Sequence, residues 1–586
     1  MADQASGMTA EDALERLTRE DAIGQLRRRD GAMARLGSEG GALKLDWVEM
    51  VPWLLAHPEA LEQVEREAAA LIARGARHVI WAGMGGSVLS VQALCRLGYG
   101  HGAVTVHPLD SSDPAALNAV ASDIADLETA VMIAVALGMT SEEPISHLEW
   151  FAGVLRDAGL DPASHQMVMT LPDSYLDRYA RDRALPRFPL QLDGGSGIGG
   201  RMSAPGTRVF LTPVALYFAG QGCEPGALGA ALRMAWAAYD LDGARANPAE
   251  SQWARLAGAL AGAAWRGVVR LGMETPPGWE ALRDWTEQLM EESLGKDSKG
   301  VIVFAPEALP ADAPASLRVR VTGDSRQASG LDSGVFTIVE PLIASPDMTE
   351  RLAGLAALYS GFQLTMALYG YLWNIPFAGQ PAVEAYKAGA RALRDSAPAA
   401  LARPVFESAT LREGRLALEA PFRDGTWNSA TKPASMLADW LRVWRAEQEL
   451  AYLDVTINGE ADPGALAALE ASLRRLAVER LGIPYKLRRA PAAYHSTEQS
   501  EMDGPPGVAS MRAVALQHAA PVMGAYTARF LEAQSLATWQ AMNQRKRPCF
   551  LALYDGDTTG MVTALRALLD TVAVEPGALS SGESEE

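Results

Sequence analysis

In the stretch HVIWAGMGGSVLSVQAL (78–94), an apolar β-prone run meets glycines and then a helical pattern. Gly83, Gly85, Gly86 and Ser87 make up the turn. Backbone N–H groups at a strand–helix turn lack helical partners, and the helix start adds positive potential, so such a turn can hold an anion, commonly a phosphate. Glycine allows the dihedrals and the close approach this needs. The pattern is neither a Walker loop nor a dinucleotide fingerprint, since Val88 takes the sixth position and no lysine follows. A tight turn with no ligand would use the same residues. A second glycine run, GIGG (197–200), precedes Arg201 and can present that guanidinium to a cleft; an exposed loop arginine reads the same. TEQLMEES (286–293) carries Glu287, Glu291 and Glu292 at helical spacing. Glu291 beside Glu292 can raise the latter's pKa by like-charge repulsion, as a general base requires, although solvated helix faces look alike. The 8 histidines, His495 among them, show no HxxxH spacing and the 3 cysteines no CxxC, so no metal site is expected.

The elements that must position these residues alternate. Strand-like runs HVIWAG, AVTVHPLD, TAVMIAVAL, HQMVMTL and RFPLQLD are separated by helical patterns, which implies a parallel sheet covered by helices. The N-terminal residues read as helices, with Thr9 as N-cap and Asp12 three residues on. A second alternation runs from about 226 to about 375: GVVRLGM, a long helix through Met290, GVIVFAPE, SLRVRVTG and GVFTIVEP. The remainder is mixed, with the helix DPGALAALEASLRRLAVERLG and the strand PCFLALYDG.

With 586 residues, 48% hydrophobic and 21% charged, the chain is a soluble globular one of several domains. A formal charge of −19 argues against nucleic acid or an anionic membrane as partner. The N-terminus lacks the regions of a signal peptide. Dispersed cysteines fit a reducing cytoplasm. From Leu352 to Val383 no residue is charged, which is long enough to span a bilayer, but Gly, Ser, Gln, Thr and Asn interrupt it and the expectation is a buried central helix.

Six segments in order, GMGGSVL, LDSSDPAAL, GIGGRMS, EQLMEESLGKDSKG, IPFAGQPAV and AYHSTEQ, resemble the phosphoglucose isomerase family. The likeness is greatest to the bacterial form found fused to transaldolase, with its GMGGSSL, SSKSGTT, GGR(F/Y)S, ES(T/N)GK, NPFDQP and HSTGQ. It runs from about residue 20 to about 555. The resemblance implies an α/β fold of two sugar-isomerase domains, each a parallel sheet between helices, with N-terminal helices and a helical C-terminal part. The expected divisions are about 1–45, 46–225 and 226–572, then an acidic disordered tail at about 573–586. It implies an aldose–ketose isomerisation through a cis-enediol, without cofactor, on a sugar or sugar phosphate, in a cytoplasmic homodimer. Glu292 matches the base, Arg201 the residue stabilising the enediolate, and His495 the ring-opening histidine. Gln288 and Lys296 match substrate-side positions, and Gly83, Gly85, Gly86, Ser87, Gly138, Thr140 and Ser141 match the sugar-phosphate loops.

The chain departs from the family in three places. Val135, Ala136 and Leu137 replace the Ser, Lys and Ser of the main phosphate loop, and Glu142 and Glu143 oppose an anion there. Leu294 replaces Thr or Asn, and Glu498 and Glu501 replace a Gly and a second His. FLEAQSL (530–536) lacks the C-terminal lysine, for which Arg529 or Lys546 are the nearby bases. Two functions follow: an isomerase with an altered pocket, or a degenerate homologue serving as a sugar-binding, regulatory or assembly protein.

Overall fold

Strand β5 (Ala130–Ala136) shows why the first sheet forms: all seven of its residues are apolar and buried, as in a parallel strand covered on both faces. A computed structural model describes residues 8–311, 316–396, 401–421, 430–447, 450–518 and 529–574, with the side chains of Ser396 and Arg529 excepted. The tail expected at 573–586 lies outside these from 575 on. Strands β1 (Ser38–Glu39) and β2 (Ala42–Leu43) form a short antiparallel hairpin. β3 (His78–Ala82), β4 (Thr105–Leu109), β5, β6 (Gln166–Thr170) and β7 (Arg187–Pro189) form a parallel sheet in the order β4-β3-β5-β6-β7.

The second sheet holds β8 (Arg270–Glu274), β9 (Ile302–Phe304), β10 (Ser316–Thr322), β11 (Gly330–Asp332) and β12 (Val335–Val339), ordered β11-β12-β10-β8-β9 with only β11 antiparallel. Leu317, Val319 and Val321 of β10 are buried while Arg320 is exposed, so this sheet has a more open face.

A third sheet follows where the sequence reading found a single strand. It holds β13 (Leu411–Glu413), β14 (Leu416–Glu419), β15 (Tyr452–Asn458), β16 (Tyr485–Ala490), β17 (Val508–Ala515) and β18 (Cys549–Tyr554), ordered β13-β14-β18-β17-β15-β16. β15 to β18 are parallel; β13 and β14 are antiparallel. The C-terminal part is therefore rich in helix, as expected, but built around a sheet of its own. Numbered from its first parallel strand, each sheet repeats the order 2-1-3-4. In such sheets ligands bind at the C-terminal ends of strands 1 and 3, where the connections diverge.

Most of the uncharged segment, Leu352 to Trp373, lies in a 26-residue helix, Met348–Trp373. It is long and apolar enough to cross a membrane, but it is buried against the helices Ala227–Tyr239 and Gln252–Trp265. Gly361 lets the Trp253 ring lie directly on the helix backbone. The N-terminal helix Ala10–Arg19 begins with the Thr9–Asp12 capping box and packs on Gln252–Trp265.

Candidate active site

β3 ends at Ala82. A 3-10 turn, Gly85–Ser87, follows, and the α-helix starts at Leu89 rather than at Ser87. Gly85 has φ +53, and a Cβ on it would strike the His495 carbonyl and come within 2.7 Å of Gln288 Nε2. A Cβ on Gly86 would strike the Gly200 backbone. These glycines thus admit three distant chain segments. Gly86 and Ser87 border the cavity that results, whereas Gly83 and Gly85 do not. The Gly83 N–H is already given to Leu109 O at 3.0 Å.

The cavity holds about 330 Å³ and lies at the C-terminal ends of β3 and β5, strands 1 and 3 of the first sheet. Gly138, Thr140 and Ser141 after β5 line it, as do Arg201, Gln288, Glu292 and His495. The sequence candidates therefore meet, apart from Gly83, Gly85 and Lys296. Val135 and Leu137 also face it; Ala136 points to the other side of β5, into the core with Leu148 and Phe151, so two of the altered loop positions bear on the cavity.

The helix Glu280–Leu294 carries Gln288 and Glu292 four residues apart, hence on one face. Gln288 Nε2 donates to Glu292 Oε2 (2.9 Å) and to His495 O (2.8 Å). Gln288 Oε1 is buried with no partner among the described residues. Arg201 Nη1 donates to Glu292 Oε1 at 2.8 Å, Nε to Ser293 Oγ at 2.7 Å, and Nη2 to the carbonyls of Phe377 (2.7 Å) and Gly379 (3.1 Å). Arg201 is 4% and Glu292 5% exposed, so this is a desolvated ion pair.

Glu291 does not act on Glu292 as expected. One residue on, it points to the other side of the helix. There it pairs with Lys486 and accepts the Val303 N–H at 2.8 Å. Burial pushes its carboxyl up. Lys296 is not a substrate residue either. Its ammonium donates to the carbonyls of Ser293 (2.8 Å), Pro376 (2.7 Å) and Ala378 (3.3 Å), clamping the segment that also holds Arg201. Burial and the Arg201 charge draw its pKa well down.

His495 closes the 3-10 turn Ala492–His495 after β16. Its Nε2 lies 2.7 Å from Oε1 of Glu143, the first residue of the helix Glu143–Asp157. Gln534 Nε2 supports the same oxygen at 3.0 Å. Burial would raise the Glu143 carboxyl, but the charge and hydrogen bond of His495 outweigh it and hold it far below the ordinary range. Sequence reasoning counted Glu143 only as repelling an anion. The cavity also receives Lys387, from the helix Pro381–Ser396, 3.3 Å from Glu384. At the C-terminal segment searched for a lysine, Leu531 is buried in the core and Glu532 accepts the N–H groups of Leu401 and Ala402 at 3.0 and 2.8 Å. Lys546 is exposed away from the cavity, and the Arg529 side chain lies outside the described residues.

Glu498 and Glu501, foreign to the family pattern, are buried with a purpose. Arg512 donates to Glu498 at 3.0 Å and to Glu501 at 2.7 Å, and Arg488 pairs with Glu501 and Asp454. This network binds the turn after His495 to the third sheet.

With this geometry, comparison with known proteins is informative. The fold is that of the sugar isomerases. No family model matches the chain. A "Probable glucose-6-phosphate isomerase" of Haloquadratum walsbyi is 27% identical over 447 residues, spanning 70% of this chain and 97% of that protein. The glucose-6-phosphate isomerase of Rippkaea orientalis is 27% identical over 360 residues, 53% of this chain and 64% of that protein, so this chain matches about two thirds of the cyanobacterial relative. The crystal structure of a glucose-6-phosphate isomerase from Chlamydia trachomatis superposes with a TM-score of 0.52 at 17% identity, covering 68% of this chain and 88% of that one. The chain is thus a distant homologue of glucose-6-phosphate isomerases.

Proposed function

We propose that the chain is an aldose–ketose isomerase acting on a sugar or sugar phosphate through a cis-enediol intermediate. The observation carrying this reading is that Glu292, Arg201 and His495, remote in sequence, line one cavity of about 330 Å³, a size suited to a small ligand. Glu292 takes the proton from C2 of the opened sugar. The electron pair forms the C1=C2 bond of the enediolate as the C1=O pair moves onto O1; a proton passes from O2 to O1, the C2=O bond forms, and the same carboxylate returns its proton to C1, so no atom is gained or lost. Arg201, held by four hydrogen bonds, sets its guanidinium toward the developing oxyanion without reorganising. His495, oriented through Nε2 by Glu143, presents Nδ1 for proton transfer at the ring oxygen. Lys387 takes the place of the lysine sought near residue 531.

The test is interconversion of aldose and ketose, and solvent-deuterium incorporation at C1 or C2, across hexoses and hexose phosphates, with Glu292→Gln as control. Exchange in the wild type that falls by about 10³-fold or more in the variant is expected; no exchange with any sugar refutes the reading. One observation favours a second reading, a sugar-binding protein without turnover: every nitrogen of Arg201 already has a partner. It would show as saturable sugar binding with no exchange.

A further inference from the structure

The wall of the cavity at the ends of β3 and β5 sets Leu137, Met84, Leu171, Ile198 and Met202 beside the polar Ser87, Thr140 and Ser141. Val135 lies fully buried behind this wall, and Leu137 is its partly exposed aliphatic side chain. It abuts the turn bearing Arg201: a Cβ built on Gly200 would lie 3.8 Å from that of Leu137. The charges around the rest of the cavity balance. Lys44, Arg201 and Lys387 stand against Glu39, Glu292 and Glu384. Arg201 is 2.8 Å from Glu292, Lys387 is 3.3 Å from Glu384, and Lys44 Nζ donates to Ser196 O at 3.3 Å. Thr140 Oγ1 is turned to Glu384 at 3.4 Å.

A dianion placed here would lose its hydration against aliphatic side chains, and Arg201 and Lys387 would each first have to leave a carboxylate to meet it. A methyl group gains from the same wall. A neutral polyhydroxy chain suits the rest, because Gln288 Oε1 lacks a partner among the described residues and can accept a hydroxyl proton.

We propose that the substrate is an uncharged sugar, deoxygenated at the end remote from its carbonyl, a 6-deoxyaldose and 6-deoxyketose pair whose terminal methyl rests on Leu137. This rests on the isomerase reading above and gives it a substrate class.

The experiment compares 6-deoxyfructose with fructose 6-phosphate by solvent-deuterium exchange on the full chain, with Leu137→Lys and, separately, Leu137→Ser. For the wild type, kcat/KM for the deoxy sugar exceeds that for the phosphate by at least about 100-fold. Either variant that folds moves this ratio toward the phosphate by about 10-fold or more. A wild type that prefers fructose 6-phosphate overturns the substrate class and leaves the isomerase reading standing. Absence of exchange with both overturns turnover of the deoxy sugar, while the isomerase reading falls only if no other hexose or hexose phosphate exchanges; thermal shift then decides the ligand class. Stabilisation by 6-deoxyfructose but not by 6-phosphogluconate or inorganic phosphate upholds it; stabilisation by either phosphate compound, or none by the deoxy sugar, overturns it.

Discussion

Arg201 and Glu292 are expected to behave as one unit, and a double-mutant cycle measures it. Arg201→Met removes four hydrogen bonds at once, strands two carbonyls and the Ser293 hydroxyl, and leaves the Glu292 carboxylate only Gln288 for support. Breaking a buried pair from one side costs about 3–5 kcal/mol. Glu292→Gln is milder. The amide keeps an oxygen for Arg201, whose other three partners remain, and the loss is one charge-assisted bond, about 1.5–3 kcal/mol. In the double variant no buried charge is left unpaired, so the two costs should not add. A coupling of about 2–3 kcal/mol is expected, against 1 kcal/mol or less for an exposed pair. A chain of this size need not unfold in two states, so the readout is native-state hydrogen exchange of the amides of the helix Glu280–Leu294 in the four proteins. A coupling below about 1 kcal/mol refutes the desolvated pair and with it the held oxyanion donor.

Glu143→Gln should lower turnover by about 10–100-fold with little change in KM, because His495 loses its orienting charge. Glu143 is held below its ordinary pKa, so its stabilisation is present above about pH 4.5 and fades as pH falls; the wild-type advantage in urea melts should shrink in acid. Glu340 has the opposite sign. Burial raises its pKa from 4.5 to about 7, so stability falls as pH rises between these values. Glu340→Gln, which retains an oxygen for the Leu342 N–H, should remove that slope and stabilise the chain above pH 7 by up to about 3 kcal/mol, read from melting profiles against pH. Gly86→Ala forces a Cβ into the Gly200 backbone; a loss of about 3 kcal/mol or more, with activity, is expected in denaturation and exchange assays.

The residues legible in the sequence were those with a local or motif signal. Arg201 follows its own glycines and the 83–87 turn follows an apolar run, whereas Glu292 and Gln288 are reached through the resemblance of their segment to ES(T/N)GK, since their helix alone looks like any solvated face. The partners were harder, because no local pattern says which face another segment will meet. Glu143 looked like a surface charge at a helix start, and only the fold brings His495 to it. Lys387 sits in an ordinary amphipathic helix. Glu291 misled because adjacency in a helix means divergence in space. The third sheet was hidden for a different reason. Its strands carry Asp454, Lys486, Arg488 and Arg512; Lys486 pairs with Glu291, Arg488 with Asp454 and Glu501, and Arg512 with Glu498 and Glu501. An internal ion network breaks the apolar runs by which buried strands are found.

The loop after β15 stands to the third sheet as the loop after β3 stands to the first. There Asp113 intervenes. Its Oδ1 caps its own helix at Ala115 N (2.9 Å), and its Oδ2 accepts the Glu460 N–H at 2.5 Å, beside Gly459. The chain thus supplies its own anion at the equivalent strand end of the third sheet. A repeated architecture has been put to unequal use: one mouth is left to a visitor, and at another a resident carboxylate ties the loop after β15 to the helix that follows β4.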